Sequence, residues 1–274
     1  MTSLAPFDFV GATAFVTGAG SGIGRAIAQS LAAEGCNVVV SDVDAGRASG
    51  VAEEITQAGG VAVAQRCDVT RMADLVAARD RCQSVFGRVD IVVNNVGVMV
   101  GGLPQVIPES EWQRVFDINV LGMVRSNEVF LPVLMGQRRG HIVNTASASA
   151  LLNYAYDRTP YAATKAAVLN LSENLYLYLR PYGVGVTCLC PAGVITNILE
   201  QLRVIGDPVP LRRPEHDIVE PRIVAEQVVK AVADRRFLAV SVDTILDEVR
   251  RKGADLDEYL AERESWLRAV KEDC

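Results

Sequence analysis

The chain has 274 residues, 50% of them hydrophobic, and a formal net charge of −6 at pH 7. This length fits one large α/β domain or two small ones and is enough to bury a core. The negative charge disfavours nucleic acid as the main partner, because neutralising phosphates requires a basic surface. No apolar run reaches the roughly 18 residues of a membrane span, and residues 1–8 lack the basic and apolar regions of a secretion signal. We therefore expect a cytoplasmic protein that does not enter a membrane.

The six cysteines and two histidines show no spacing typical of a metal site. Most of the cysteines lie in apolar patterns, where cysteine behaves as a small hydrophobic residue. We therefore predict no metal. The residues are Cys36, Cys67, Cys82, Cys188, Cys190, Cys274, His141 and His216.

Apolar strand patterns alternate with helical patterns along most of the chain. The predicted strands are 12–16, 36–42, 61–68, 89–95, 141–147, 185–190 and 238–242. The predicted helices are 25–34, 45–58, 71–86, 109–134 with a break near Pro132, and about 161–181. Near-continuous Val, Ile and Ala strands that alternate with helices indicate a parallel sheet covered on both faces. No linker or repeat divides the chain, so we predict one domain over 1–274 with its core at about 10–245.

A glycine-rich turn joins the first strand to the first helix. Gly18, Gly22 and Gly24 allow the backbone to approach a pyrophosphate, and the helix N-terminus favours that anion. The Gly-x-x-x-Gly-x-Gly spacing differs from the common G-x-G-x-x-G, and tight packing alone is the alternative explanation. The order of strand, turn, helix and strand predicts a Rossmann-type doubly wound sheet of seven parallel strands.

Asp42 ends the second predicted strand and favours NAD over NADP. A carboxylate at this place can accept hydrogen bonds from both hydroxyls of an adenosine ribose, and it repels a 2′-phosphate. Neither Ser21 nor Val43 is basic, so no adjacent cation invites that phosphate. Arg47 either folds back over the site or is a solvated helix residue.

Tyr161 and Lys165 lie four residues apart at the start of an apolar helical pattern, which puts them on one helix face. A neighbouring cation favours the phenolate, so it would lower the tyrosine pKa from about 10 toward useful acid–base chemistry. A surface tyrosine beside a surface lysine is the alternative.

Three motifs in this order resemble the short-chain dehydrogenase/reductase family: Thr17-Gly18-x-x-x-Gly22-Ile23-Gly24, Asn94-Asn95-Val96-Gly97 and Tyr161-x-x-x-Lys165. The similarity covers about 10–245, and the glycine spacing and modest length resemble the shorter, oxidoreductase branch. The chain departs from the family pattern at Val96, where alanine is usual. Ala192 also replaces the first glycine of a P-G-x-V-x-T stretch.

The resemblance implies four catalytic residues. Ser147 would hold the substrate oxygen, and Tyr161 would act as acid and base. Lys165 would lower the tyrosine pKa and bind the nicotinamide ribose. Asn119 would support a proton relay, with polar packing as the alternative. Ser149 is the alternative candidate for the catalytic serine if Ser147 does not have this role.

The resemblance also implies the cofactor contacts, with Asp68 and Val69 placed at the adenine ring. The full predicted set is Gly18, Ser21, Gly22, Ile23, Gly24, Asp42, Val43, Asp68, Val69, Asn95, Gly97, Tyr161, Lys165, Pro191, Val194 and Thr196.

We expect substrate contacts from 97–106, 148–160 and 194–220, the last of these forming a lid. Four prolines within 206–221 suit a mobile lid. Two apolar stretches either line a pocket for a bulky, weakly polar molecule or pack the lid onto the body. These are Leu151-Leu152-Asn153-Tyr154-Ala155-Tyr156 and Ile198-Leu199-Leu202-Val204-Ile205. Three arginines, which either recognise an acid or are solvated, are Arg212, Arg213 and Arg222.

The last residues, about 244–274, form a predicted helical tail with one apolar stripe. It either covers the mouth of the site or packs on another subunit, and the resemblance implies a homodimer or homotetramer built on helices 109–134 and 164–180. The stripe is Leu246, Val249, Leu256, Tyr259, Leu260, Trp266 and Leu267.

The sequence therefore predicts an NAD-dependent oxidoreductase that interconverts a secondary alcohol and a ketone on a bulky alicyclic, steroid-like or aromatic substrate. One alternative is an NADPH-dependent carbonyl reductase. The other is a non-catalytic dinucleotide sensor or scaffold, which is disfavoured because such proteins usually lack the tyrosine or the lysine.

Overall fold

The structure is a computed structural model that describes residues 4–152, 156–196, 198, 201–207 and 216–272, with side chains described as far as residue 266. Its strands are β1 Thr13–Val16, β2 Asn37–Asp42, β3 Val61–Arg66, β4 Ile91–Asn94, β5 Val100–Gly101, β6 Gly140–Thr145, β7 Val184–Cys190, β8 Arg203–Val204 and β9 Leu238–Val240. Its α-helices are α1 Gly22–Ala33, α2 Ala45–Gln57, α3 Met72–Phe86, α4 Glu109–Phe116, α5 Gly122–Gln137, α6 Ala148–Leu151, α7 Thr159–Leu179, α8 Pro221–Ala233, α9 Thr244–Ala254 and α10 Leu256–Glu272.

Seven strands form the central sheet in the order β3-β2-β1-β4-β6-β7-β9, and every pairing is parallel. The order reverses between β1 and β4, so the crossovers leave in opposite directions and a crevice opens at the carboxyl ends of these strands. The predicted seven-stranded, doubly wound Rossmann-type sheet is confirmed.

Apolar side chains bury both faces of the sheet, which is why the strands read as continuous Val and Ile runs. On one face, Ile27 of α1 and Val228 of α8 pack with Val38. On the other face, Phe15 of β1 stacks on Phe130 of α5 with ring centroids 4.8 Å apart. The two layers hold the strand ends in a fixed position around the crevice. All five cysteines that the structure describes are buried and unpaired.

A second, two-stranded parallel sheet joins β5 to β8, pairing Val100 with Arg203. It lies beyond the end of β4 and ties part of the predicted lid to the body. Strands of two residues carry no measurable periodicity, so the sequence did not indicate this pair.

The predicted helix break near Pro132 is wrong, because α5 continues through Pro132 to Gln137. Buried Phe130 and Leu134 on either side hold the helix together in spite of the backbone donor that proline lacks. The interruption lies earlier, as a π-helical turn at Asp117–Leu121 between α4 and α5.

The C-terminal tail forms α9 and α10, as predicted. Leu246 and Val249 pack against an apolar cluster of the same chain, and Tyr259 is buried. Leu256 and Leu260 are half exposed, so the predicted stripe is only partly covered. The side chain of Leu267 lies outside the described residues. Among the described residues, no helix has both the length and the hydropathy to cross a membrane.

Candidate active site

A cleft of about 680 Å³ lies at the carboxyl edge of the sheet. Most of the predicted cofactor-binding residues line it. They are Gly18, Ser21, Gly22, Ile23, Asp42, Val43, Asp68, Val69, Asn95, Gly97, Tyr161, Lys165, Pro191 and Thr196.

Two members of the predicted set do not line the cleft. Gly24 lies behind the turn, where an added Cβ would come within 2.2 Å of the Gly18 carbonyl oxygen. Val194 forms a β-bridge with Val219 and packs against the core. Both residues shape the backbone around the cleft instead of facing into it.

The glycine turn owes its shape to two residues in the left-handed region, Gly18 with φ of 60° and Gly22 with φ of 54°. L-residues with a side chain rarely adopt this conformation. Asn95 fastens the turn to β4, because its amide group donates to the Thr17 carbonyl at 3.2 Å and its backbone amide donates to Thr17 Oγ1 at 3.0 Å. The N-terminus of α1 therefore opens onto the cleft, an arrangement that suits a pyrophosphate.

Asp42 lies at the other wall of this turn. Its Oδ2 accepts from the Gly20 amide at 3.0 Å, and its Oδ1 accepts from the Asp44 amide at 3.0 Å. These bonds hold the carboxylate at the cleft. Arg47 also lines the cleft, beside Gly20, and its Nε lies 3.9 Å from Asp44 Oδ2. The structure therefore places Arg47 over the site, although its side chain is 47% exposed.

Asp68 and Val69 follow β3 and reach the cleft. Partial burial opposes ionisation of Asp68, but hydrogen bonds from the Thr70 hydroxyl at 2.7 Å and amide at 2.9 Å hold its pKa below the ordinary value. The turn that these bonds form directs Val69 toward Gly122 at the start of α5.

The two departures from the family pattern fit the surrounding structure. Val96 lines the cleft, and its Cγ2 would lie 3.2 Å from a Cβ added at Gly18. Its larger side chain therefore supports the glycine turn. Ala192 donates its backbone amide to Ser241 Oγ at 2.9 Å, which fixes the loop after β7 without the missing glycine.

Ser147, Tyr161 and Lys165 meet where β6 ends and α7 begins. Ser147 is the N-cap residue of α6, a helix that the strand pattern did not indicate, and its Oγ accepts from the Ser149 amide at 3.2 Å. A side-chain hydrogen bond joins Ser147 to Tyr161. Lys165 Nζ lies 5.6 Å from the centre of the Tyr161 ring. Ser149 Oγ is buried and has no described hydrogen-bond partner.

The pKa of Tyr161 shifts in the direction opposite to the prediction. Burial raises it, while the hydrogen bond with Ser147 and the charge of Arg158 act to lower it. Burial also lowers the pKa of Lys165 to about 8. The Lys165 Nζ donates a hydrogen bond to the Thr145 carbonyl at 2.7 Å, and this bond fixes the position of the ammonium group. The sequence did not single out Thr145, because the bond depends on a carbonyl and not on a side chain.

Asn119 lies in the π-helical turn and does not line the cleft. Its Oδ1 accepts from the Val98 amide at 2.8 Å, and its Nδ2 donates to the Val98 carbonyl at 3.0 Å and to Thr164 Oγ1 at 3.0 Å. It borders a separate cavity of about 10 Å³, room for about one water. Gly97 lies between the two sites, since a Cβ there would approach both Lys165 Nζ and Asn119 Oδ1. Asn119 is therefore a buried polar residue that holds Val98 and Thr164, and it lies near Lys165 on the other side of Gly97.

Within the ranges predicted to contact the substrate, Val98, Ile198 and Gln201 line the cleft. Leu152 is fully buried, and Leu151 packs on the same core cluster, so these two leucines pack the body. Arg222 is exposed on α8 and pairs with Glu226. Much of the predicted lid lies outside the described ranges, and so do six of the residues named on the predicted substrate side: Asn153, Tyr154, Ala155, Leu199, Arg212 and Arg213.

Comparison with known proteins agrees with this geometry. The family model for short chain dehydrogenase matches residues 12–204. The chain is 36% identical over 194 residues to the 7alpha-hydroxysteroid dehydrogenase of Escherichia coli K12, a match that covers 70% of this chain and 74% of that protein. It is 37% identical over 204 residues to the (-)-trans-carveol dehydrogenase of Rhodococcus erythropolis, covering 69% of this chain and 73% of that protein.

A solved structure extends the likeness to almost the whole chain. The short chain dehydrogenase/reductase from Burkholderia phymatum, crystallised with NAD, has a TM-score of 0.82 and 34% sequence identity, covering 92% of this chain and 96% of that one. Motifs, fold and matched length therefore agree, and the chain belongs to the short-chain dehydrogenase family.

Proposed function

We propose that this protein is an NAD-dependent dehydrogenase that interconverts a secondary alcohol and a ketone on a bulky hydrophobic substrate. The observation that carries the proposal is that one cleft is lined by Tyr161, Lys165, Asp42 and the glycine turn, with Ser147 hydrogen-bonded to Tyr161. The cofactor would bind in this cleft and supply the hydride chemistry, while the protein supplies orientation and proton handling.

Ser147 and Tyr161 form the proton-handling pair. The Ser147 hydroxyl holds the oxygen of the substrate, and the Tyr161 oxygen exchanges a proton with it. Because burial raises the pKa of Tyr161, the neutral phenol prevails at neutral pH and is ready to donate to a ketone. Alcohol oxidation needs the phenolate, so its rate is expected to rise with pH on the alkaline side.

Asp42 supports NAD as the cofactor. Its carboxylate, held by two backbone amides, would accept hydrogen bonds from the ribose hydroxyls and repel a 2′-phosphate. The relative crystallised with NAD supports the same choice. The hydroxysteroid and carveol dehydrogenases among the relatives support an alicyclic secondary alcohol as the substrate.

Arg47 favours a second candidate, an NADPH-dependent carbonyl reductase. A guanidinium at the wall of the cleft beside Asp42 can approach a 2′-phosphate. Measured activity with NADP⁺ that exceeds the activity with NAD⁺ would favour this candidate.

Assembly and location are further parts of the proposal. A homodimer or homotetramer would cover the exposed side chains of Val124 on α5 and Leu177 on α7, which are 39% and 69% exposed. Molar mass measured by light scattering tests this assembly. The cytoplasmic location stays a prediction of the sequence.

Turnover by the wild type and by Tyr161→Phe tests the proposed function. A panel of alicyclic, steroidal and aryl secondary alcohols is offered with NAD⁺ or NADP⁺, and NAD(P)H absorbance is followed. We expect Tyr161→Phe to lower kcat by at least about 10²-fold, because the proton-transferring oxygen is lost. NADH affinity, measured by fluorescence, is expected to change little.

Tyr178→Phe is the matched control, since Tyr178 lies on the same helix and is 55% exposed. Its rates should equal those of the wild type. Near-normal rates for Tyr161→Phe would refute the assigned role, and NADH binding without turnover of any alcohol would favour a sensor.

A further inference from the structure

A buried carboxylate in the C-terminal tail joins α9 to His216, whose segment pairs with the loop after β7. Glu248 of α9 is 4% exposed. Its Oε2 lies 3.0 Å from His216 Nε2, and its Oε1 accepts from the Tyr259 hydroxyl at 2.9 Å. Arg263 of α10 adds a positive charge, with Nη2 3.7 Å from Oε1. Thr244 completes the cluster, with its Oγ1 3.0 Å from His216 Nδ1.

Burying the Glu248 carboxylate costs free energy, and we therefore interpret the cluster as a specific arrangement and not an incidental contact. A buried carboxylate is unfavourable unless charges and hydrogen bonds compensate it, and removing one partner leaves the other polar groups unpaired. Both oxygens of Glu248 have partners, and both ring nitrogens of His216 face α9. His216 therefore has a fixed position relative to the tail, although it lies far from α9 in sequence.

The segment 216–219, which contains His216, pairs with the loop after β7. The Val219 amide donates to the Gly193 carbonyl at 3.0 Å, and the Ile195 amide donates to the Val219 carbonyl at 3.1 Å. The next residue, Thr196, lines the cleft and meets the glycine turn, since a Cβ added at Gly22 would lie 3.2 Å from it. The position of His216 is thus transmitted to one border of the cleft.

A second bond from α9 reaches α6, the short helix between β6 and α7. Lys252 Nζ donates to the Leu151 carbonyl at 2.7 Å. Leu151 ends α6, which begins at the N-cap Ser147, the residue that bonds to Tyr161. One helix therefore contacts both segment 216–219, which pairs with the loop that carries Thr196, and the short helix α6, whose N-cap is Ser147.

We propose that α9 positions two borders of the substrate side of the cleft, one at Thr196 and one at Tyr161, and that Glu248 and His216 are positioning residues for the reaction. The inference rests on the proposed function, because it assigns these borders to substrate binding. Neither residue lines the cleft, so each acts through the backbone of 193–196 and 216–219.

The test compares Glu248→Gln and His216→Leu with the control Asp247→Asn. Asp247 is the neighbouring carboxylate on the same helix, 75% exposed and paired only with Arg250 among the described residues. For the two cluster variants we expect the KM for the alcohol to rise on the order of tenfold with a smaller change in kcat, because small displacements of positioning groups weaken productive binding. The control should match the wild type.

Amide hydrogen exchange gives a readout that needs no substrate. Exchange at Ile195 and Val219 should accelerate at least about tenfold in both cluster variants, while the β6 and β7 amides keep their protection. If Glu248→Gln does not fold, Tyr259→Phe removes one hydrogen bond to the same carboxylate and should produce a smaller change in the same direction.

The outcomes separate this inference from the proposed function. Unchanged exchange at Ile195 and Val219 in folded variants refutes the positioning role, and so does acceleration spread evenly over the whole chain. Unchanged KM with accelerated exchange also refutes it, because the segment would then not bear on the substrate. If the wild type oxidises no alcohol, the proposed function fails, and with it the role in the reaction; the exchange data then decide only whether the tail holds the two segments.

Discussion

Lys165 is a charged side chain that is 2% exposed. Burial lowers its pKa to about 8 from an ordinary 10.5, so the protein holds the ammonium at a cost in stability. The hydrogen bond to the Thr145 carbonyl recovers a part of that cost. A cost of this kind is typical of functional sites, where the residue that the activity requires is often not the one that would stabilise the fold most.

We expect Lys165→Met to be more stable than the wild type at pH 7 while losing activity. Removing the buried ammonium would raise the free energy of unfolding by at most about 3 kcal/mol, as judged from the pKa shift. Loss of the hydrogen bond to the Thr145 carbonyl would take back about 1 kcal/mol of this gain. Between pH 8 and 10.5 the unfolded chain binds more protons at this lysine than the folded chain. Wild-type stability therefore rises through that window, and the advantage of the variant shrinks.

Urea unfolding of both proteins near neutral pH and near pH 10 measures this difference in free energy. Lys230→Met is the control, because Lys230 is exposed on α8 and its substitution should have little effect at either pH. A Lys165→Met protein that is less stable at pH 7 would contradict the expectation.

At the level of the element, the turn between β1 and α1 packs so closely against the start of α1 that position 24 has no room for a Cβ atom. A Cβ at Gly24 would lie 2.2 Å from the Gly18 carbonyl oxygen and 2.6 Å from the Asn95 side-chain nitrogen. The first obstacle is backbone and cannot rotate away. The turn and the start of α1 would have to separate, which would move the helix N-terminus away from the cleft.

Gly24→Ala is therefore expected to weaken NADH binding at least about tenfold and to lower stability by about 2 kcal/mol. Gly50→Ala is the control, since a Cβ at this position in α2 meets nothing within 4 Å. That variant should gain about 0.5 to 1 kcal/mol and bind NADH normally. Fluorescence titration and urea unfolding measure the two effects, and normal NADH binding by Gly24→Ala would show that the turn tolerates displacement.

At the level of the whole molecule, the cleft exists only when β1, β2, β4 and β6 lie side by side. A ligand that binds this assembled edge stabilises the entire folded chain by mass action, by about 2.7 kcal/mol at 100 times its Kd. Cofactor choice can thus be measured as a shift in thermal stability, independently of any substrate.

We expect NADH to raise the Tm more than NADPH at equal concentration, because Asp42 repels the 2′-phosphate. Asp42→Asn should reduce the Tm increase caused by NADH and bring it closer to the increase caused by NADPH. Asp80→Asn, a surface change on α3, should leave both Tm increases unchanged. Thermal unfolding with each cofactor measures these shifts. A larger shift with NADPH in the wild type would assign the cofactor choice to Arg47.

The sequence alone determined the parallel sheet, the glycine turn and the family. These features depend on local signals: Val-rich strands alternate with helical patterns, and short motifs follow three of the strands. The resemblance that these motifs carry also implied that Gly18, Asp42 and Tyr161 contact one cofactor, and all three line one cleft.

Only the tertiary structure decided the features that depend on burial or on contacts between distant residues. The π-helical turn that carries Asn119 leaves hydrophobic periodicity almost unchanged, so the sequence showed no interruption at Asp117–Leu121. The direction of the pKa shift at Tyr161 follows from the burial of its side chain in the folded chain. The contact between Glu248 and His216 spans 32 positions and exists only because α9 packs against the segment that contains His216.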